Sequence, residues 1–230
     1  ILLQKNDILY SLNGVLCTDE AKLEEYANGY ITADSAIVLK RFGNTEKPMD
    51  VFGSKWEGYM EKIENSCKIL TENDTLVIPG DISWATYLDS CIEDLKFINS
   101  LPGRKIISKG NHDYWWCTRK KMNAFLDEKK FTTLNFLFNN AYEAEDIAIC
   151  GTRGWFFDDK ADNAEKVISR EAGRLKISIE SALITKKEPV AFLHYPVVYE
   201  SGVCEELLSV LKEYDIRRCY FGHIHGERTG

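Results

Sequence analysis

The sequence lacks any apolar run approaching the ~18 residues that a membrane-spanning helix needs. It also lacks a basic segment followed by an apolar one, the mark of a secretory signal. A soluble, cytoplasmic protein is the resulting expectation. Cysteine occurs at seven positions (17, 67, 91, 117, 150, 204 and 219) but never as C-x-x-C, which excludes a structural zinc knot. Their odd number and apolar surroundings fit reduced core thiols in a reducing compartment. No basic stripe is present, and the formal charge of −7 with a pI near 5.3 excludes nucleic-acid binding through bulk charge. The most basic stretch, 118–130, is interrupted by acids and reads as the solvated face of a helix. No repeat, low-complexity tract or Pro/Gly/Ser-rich linker divides the chain, so one domain is expected. Histidine is scarce: there are four, at 112, 194, 223 and 225.

What is present can build a core, since 44% of residues are apolar and 12% aromatic. Ser54 and Glu57 have capping-box spacing, and Trp56, Met60, Ile63, Cys67 and Leu70 follow at helical intervals. Further helices are predicted over 87–100, 118–129, 162–185 and 205–214. Short continuous apolar runs predict buried strands at 75–79, 105–108, 136–138, 147–150, 190–193 and 218–221. Strands alternating with helices in this way predict a layered α/β protein. Residues 1–43 are the least regular part.

Four of these strands run into polar turns: Gly80-Asp81, Gly110-Asn111-His112-Asp113, His194, and Gly222-His223-Ile224-His225-Gly226. All four histidines lie in them, and two share one turn. If the strands are parallel, the turns meet at one carboxyl edge, where open α/β sheets bind ligands. The set offers imidazoles, a carboxylate and an amide oxygen without thiolate, which suits Mn, Fe or Zn at a catalytic site. Two imidazoles in G-H-x-H can face different ions, and one carboxylate such as Asp81 can bridge both. Ions ~3.5–4 Å apart clamp a phosphoryl group and generate hydroxide at neutral pH. The Asn-His-Asp triple allows Asn111 to bind metal while His112, steered by Asp113, protonates a leaving oxygen.

These blocks resemble the calcineurin-like metallophosphoesterase superfamily, whose pattern is D-x-H, G-D, G-N-H-[DE], a later H, then G-H-x-H. The phrases PGDISWA, KGNHDYWW, CGTRGW, LHYP and GHIHG further resemble small single-domain bacterial phosphohydrolases. The resemblance implies a sandwich of two β-sheets flanked by helices, and a phosphomonoester or phosphodiester substrate cleaved by metal-activated water. It implies two divalent ions, with Asp81 bridging, Asn111, His194 and His223 completing one site, and His225 in the other. It makes His112 and Asp113 the catalytic pair, with His112 stabilising the transition state. Arg153 and Trp155, in GTRGW, are candidates for binding substrate phosphate or walling the cleft. Tyr114, Trp115 and Trp116 could line the pocket, with at least one tryptophan expected in the core.

One block is missing. An ungapped register puts Ile37 and Leu39 where the D-x-H aspartate and histidine belong, and no histidine precedes His112. Residues 1–41 are therefore expected to be atypical and 42–230 to form the metallophosphoesterase domain, without the closing strands that usually follow G-H-x-H. The alternative is an impaired relative that binds one ion or a phosphorylated ligand without turnover.

Overall fold

A computed structural model describes residues 37–38, 58–155, 164–199 and 202–223. The Ser54–Glu57 capping pair and His225 lie outside them.

The chain builds two facing sheets. The first joins β1 (Ile37–Val38), β2 (Thr75–Ile78), β3 (Arg104–Ile107) and β4 (Leu134–Phe136) in that spatial order, all parallel. The second has the order β10 (Cys219–Phe221), β7 (Glu188–Leu193), β6 (Ile147–Thr152), β5 (Tyr142–Ala144), parallel except for β5. A short antiparallel pair, β8 (Val198–Tyr199) and β9 (Gly202–Val203), stands apart. The helices are α1 (Tyr59–Cys67), α2 (Ile92–Ser100, entered through a 3-10 turn at Leu88–Cys91), α3 (Arg119–Lys129), α4 (Ala164–Leu183) and α5 (Glu205–Glu213).

Side-chain alternation along the strands explains the layering, because successive residues of a strand face opposite ways. Val77, Ile106, Ile149, Val190 and Phe192 point between the sheets and pack together with Leu137. Their neighbours Leu76, Ile78 and Ile107 pack outward with Leu95, Ile98, Met122 and Phe125 of α2 and α3. On the other side, Ala148, Cys150, Ala191 and Leu193 meet Leu175, Ile179 and Ala182 of α4 and Leu207 and Val210 of α5. Every central strand is covered on both faces, which is why these strands read as unbroken apolar runs. The expected two-sheet α/β sandwich is the architecture observed. No helix among the described residues is long and apolar enough to cross a membrane.

Three details differ from the sequence expectations. The strand expected at 136–138 ends at Phe136, because the Phe138 N–H donates to the Asn140 side chain (2.6 Å) and Asn139 adopts φ 57°, turning the chain. The hairpin strands β5, β8 and β9 have no apolar run to announce them. Ile37–Val38, inside the stretch expected to be atypical, pairs with Leu76–Val77 and supplies the first sheet's edge.

Candidate metal centre

The parallel strands bring their carboxyl ends to one edge. Asp81 follows β2, Asn111 and His112 follow β3, His194 follows β7 directly, and His223 follows β10. Asn111 Oδ1 lies 2.7 Å from His194 Nε2 and 3.1 Å from His223 Nδ1. The two imidazole nitrogens are 3.2 Å apart, and Asp81 Oδ2 is 3.6 Å from His194 Nε2. One atom each from Asp81, His194 and His223 falls within 4.8 Å of the others. Asp81 and His194 are buried, at 3% and 1% exposure.

The backbone holds this cluster in unusual conformations. Gly80 has φ 98°, and Asp81 has φ 59°, which costs a non-glycine residue about 1–2 kcal/mol. The two glycine turns touch: a Cβ on Gly80 would fall 2.2 Å from Gly110 N, and one on Gly110 would fall 2.2 Å from Asp81 Oδ1. Glycine is required at both positions by this approach. His223 is also left-handed, at φ 69°.

Asp113 holds the turns in place. Its buried carboxylate accepts from the backbone N–H of Gly110 (2.7 Å), Asp81 (2.8 Å), Ile82 (3.0 Å) and Ser83 (3.3 Å), and from Trp115 Nε1 (3.1 Å). Burial and then the Asp81 charge push its carboxyl upward, and the N–H donors oppose them. The expected steering of His112 by Asp113 is thus not what its carboxylate does: both oxygens are taken by N–H groups of the two turns. His112 is oriented otherwise. Its N–H donates to Asp81 Oδ1 (2.8 Å), its ring stacks on Trp84 at 4.1 Å and 10°, and its Nδ1 lies 3.3 Å from the Tyr114 hydroxyl.

The donor chemistry is specific about a metal. The Pro79 carbonyl can only accept, so His194 Nδ1, 2.9 Å away, must donate to it. A neutral His194 then turns its Nε2 lone pair toward the Asn111 oxygen and the Asp81 carboxylate. Among the described residues three acceptors converge, with one proton, from His223 Nδ1, available between them. A divalent cation relieves that arrangement, and a carbonyl on the far ring nitrogen is the usual partner of a metal-bound histidine. Asp81, Asn111, His194 and His223 fit an ion of mixed nitrogen and oxygen preference.

Arg153 follows β6 beside this cluster, and its carbonyl accepts from the N–H groups of His194 (3.1 Å) and Tyr195 (2.9 Å). Its guanidinium lies over Trp155 at 5.2 Å and 3.9 Å from Glu171. Trp115 is in the core at 2% exposure, Trp116 packs against the core, and Tyr114 is exposed. Sequence reasoning missed Trp84 as the platform for His112 and Tyr195 as a wall, its ring 4.4 Å from His223. It also missed Lys109, whose ammonium burial holds below its ordinary value, the Arg153 charge adding to the effect. Trp84 stands three places after Asp81 and Tyr195 directly follows His194, so proximity to the motifs was the available signal.

Comparison with known proteins gives the family. No curated protein matches the chain. Among solved structures it is similar to the protein of unknown function AQ665 from Aquifex aeolicus, at 21% identity over 78% of this chain and 83% of that one, with a TM-score of 0.39. A second solved structure is similar at 13% identity, 82% and 83% coverage and a TM-score of 0.48. The family described as calcineurin-like phosphoesterase matches residues 41–227, which contain every described strand but β1 and all the residues of the cluster. The chain belongs to the calcineurin-like phosphoesterase family.

Proposed function

We propose that the protein is a metal-dependent hydrolase of a phosphomonoester or phosphodiester, working through a centre of two divalent ions (Mn, Fe or Zn). The observation that carries this reading is the convergence of Asp81, Asn111 and His194 as acceptors with His223 at a buried strand edge. Bound ions would supply Lewis acidity and hydroxide at neutral pH. Asn111, His194 and His223 would hold one ion, with Asp81 shared and His225 reaching the second. The stacked His112 ring, fixed by Trp84, would stand over the reacting phosphoryl group and donate a proton to the leaving oxygen. Asp113 would act one step removed, by fixing the two turns that carry Asp81 and Asn111.

The test is hydrolysis of aryl phosphate mono- and diesters with and without Mn²⁺, for the parent and Asp81→Asn. Mn²⁺-stimulated turnover that the variant abolishes supports the proposal. Equal, negligible turnover of both metal-loaded proteins sinks it.

A second reading has its own observation. Ile37–Val38 pairs with Leu76–Val77 of β2 in the stretch where the family resemblance puts D-x-H, and neither residue type offers a metal ligand. In that reading the chain keeps one ion and binds a phosphorylated ligand without turnover. Calorimetric titration with Mn²⁺ separates the two: two ions per chain support the hydrolase, and one supports the binder.

A further inference from the structure

We infer that the substrate carries a second anionic group, held by Lys109, Arg153 and Arg174 beside the metal centre. The inference rests on the phosphoesterase reading for the first group and on different residues for the second.

Lys109 immediately precedes Gly110 at the end of β3, and Arg153 immediately follows Thr152 at the end of β6. Both leave the sheets at the carboxyl edge that carries the ligand cluster. Arg174 reaches the same place from α4. The two guanidinium groups share one carboxylate, Glu171, which is 1% exposed. Arg174 Nη1 is 2.6 Å from it and Arg153 Nη2 3.9 Å, while the Thr152 hydroxyl donates to its other oxygen. Glu171 is therefore fully engaged; Lys109 feels Asp113 as well as Glu171 at longer range, and three cations against these two carboxylates leave positive charge in excess among the described residues.

Among the described residues no side chain neutralises that excess. Arg153 Nε is buried and has no hydrogen-bond partner among the described residues. Lys109 is only partly exposed and makes no ion pair or hydrogen bond among the described residues. Unpaired donors in a partly desolvated place are costly, and an anion that forms charge-assisted hydrogen bonds to them removes that cost.

Position ties this cluster to the reaction. The Arg153 guanidinium lies over Trp155, Trp155 meets Tyr195 at 6.2 Å, and the Tyr195 ring lies 4.4 Å from that of His223. This aromatic row, with the Arg153 carbonyl accepting from the His194 N–H (3.1 Å), sets the cations beside the ligand histidines. A molecule with one phosphoryl group at the metal centre and a second phosphate or carboxylate on a short carbon spacer would engage both.

The test measures binding of non-hydrolysable probes to Mn²⁺-loaded protein from which free metal has been removed: methylphosphonate, 3-phosphonopropionate and propane-1,3-bisphosphonate. At least one doubly anionic probe should bind about tenfold or more tighter than methylphosphonate, the worth of one charge-assisted hydrogen bond. Lys109→Gln and Arg153→Gln, checked for unchanged unfolding midpoints, should shrink that ratio toward one. Tighter binding of the bisphosphonate assigns the second group as phosphate, and tighter binding of the phosphonopropionate assigns it as carboxylate. Equal affinity for all three probes, or a ratio that both variants keep, overturns the inference. Should the ratio respond as expected while the parent shows no Mn²⁺-stimulated hydrolysis, only the hydrolase reading falls. Hydrolysis with a flat ratio removes only the second-anion site.

Discussion

Asn111 and His194 are 83 residues apart in the chain, yet Asn111 Oδ1 sits 2.7 Å from His194 Nε2. One residue closes a strand of the first sheet and the other a strand of the second, so the contact joins the two halves of the sandwich at its functional edge. The Pro79 carbonyl on the far side of the imidazole aims its lone pair at the amide oxygen. Two acceptors held face to face, with Asp81 beside them, make sense as a preformed cation site.

Metal should therefore stabilise the fold as well as complete the site. At Mn²⁺ concentrations of about 100 times Kd, linkage gives about 2.7 kcal/mol, or a rise in Tm of about 5–10 °C over the chelator-treated protein. His194→Asn should lower Mn²⁺ affinity by at least about 100-fold, more than the loss of an outer-shell partner usually costs. Differential scanning fluorimetry and calorimetric titration read both effects. A Tm indifferent to Mn²⁺ and to chelator would show that the acceptors hold no ion.

Asp113 should matter to folding before it matters to turnover. Asp113→Ala strands five N–H donors, four of them backbone groups of the two site turns. Each unsatisfied buried donor costs about 1–3 kcal/mol, and with partial rehydration a total of about 3–5 kcal/mol is expected. Asp113→Asn should also destabilise, because its amide would point a donor at donors. Urea unfolding measures this. A loss under about 1 kcal/mol for Asp113→Ala would mean that the turns hold themselves without the carboxylate.

The four polar turns were legible because each is local: three place glycine before the polar residue after an apolar run, and His194 follows its run directly. Their convergence was legible only through the assumption of parallel strands, which the pairings of β2 with β3 and of β7 with β10 bear out. The role of Asp113 was not legible, since its partners Asp81, Ile82 and Ser83 lie 30 to 32 residues away and no spacing rule links an acid to distant backbone N–H groups. The end of β4 was misplaced because Leu137 and Phe138 are as apolar as a strand requires, and the side chain of Asn140 decides otherwise. Division into two sheets was invisible to periodicity. Val77 and Ile149 belong to one inter-sheet layer, but each reads as an ordinary residue of a buried strand.

Gly110→Ala should damage the site while sparing most of the fold. The added methyl would lie 2.2 Å from Asp81 Oδ1 and 2.3 Å from Asp81 N, so the carboxylate must move away from the histidines. Mn²⁺ affinity should drop by more than about tenfold, because a ligand displaced by an ångström loses its coordination geometry. The chain should still unfold cooperatively. Calorimetric titration beside urea unfolding separates the two effects. Unchanged Mn²⁺ affinity would show that Asp81 has room to give, or that it binds no metal.

Lys105 supports a prediction away from the site. Its side chain is fully buried, and its ammonium donates to the backbone carbonyls of Leu101, Gly103 (2.7 Å) and Asn99 (3.4 Å), closing the carboxyl end of α2. Lys105→Met keeps the length but strands these acceptors, at a cost of about 1–3 kcal/mol near pH 7. Burial lowers the ammonium to about 8, the Glu72 charge opposing it. An unfolded lysine keeps its proton to about pH 10.4. Between those limits the unfolded chain binds more protons than the folded one, so this group makes stability rise with pH. Below about pH 8 the residue is charged in both states and contributes no slope. The difference in unfolding free energy between parent and Lys105→Met, followed from pH 7 to 10, should therefore be flat at first and then grow in the parent's favour. A difference that stays flat to pH 10 would mean that the ring of carbonyls holds the proton as firmly as water does.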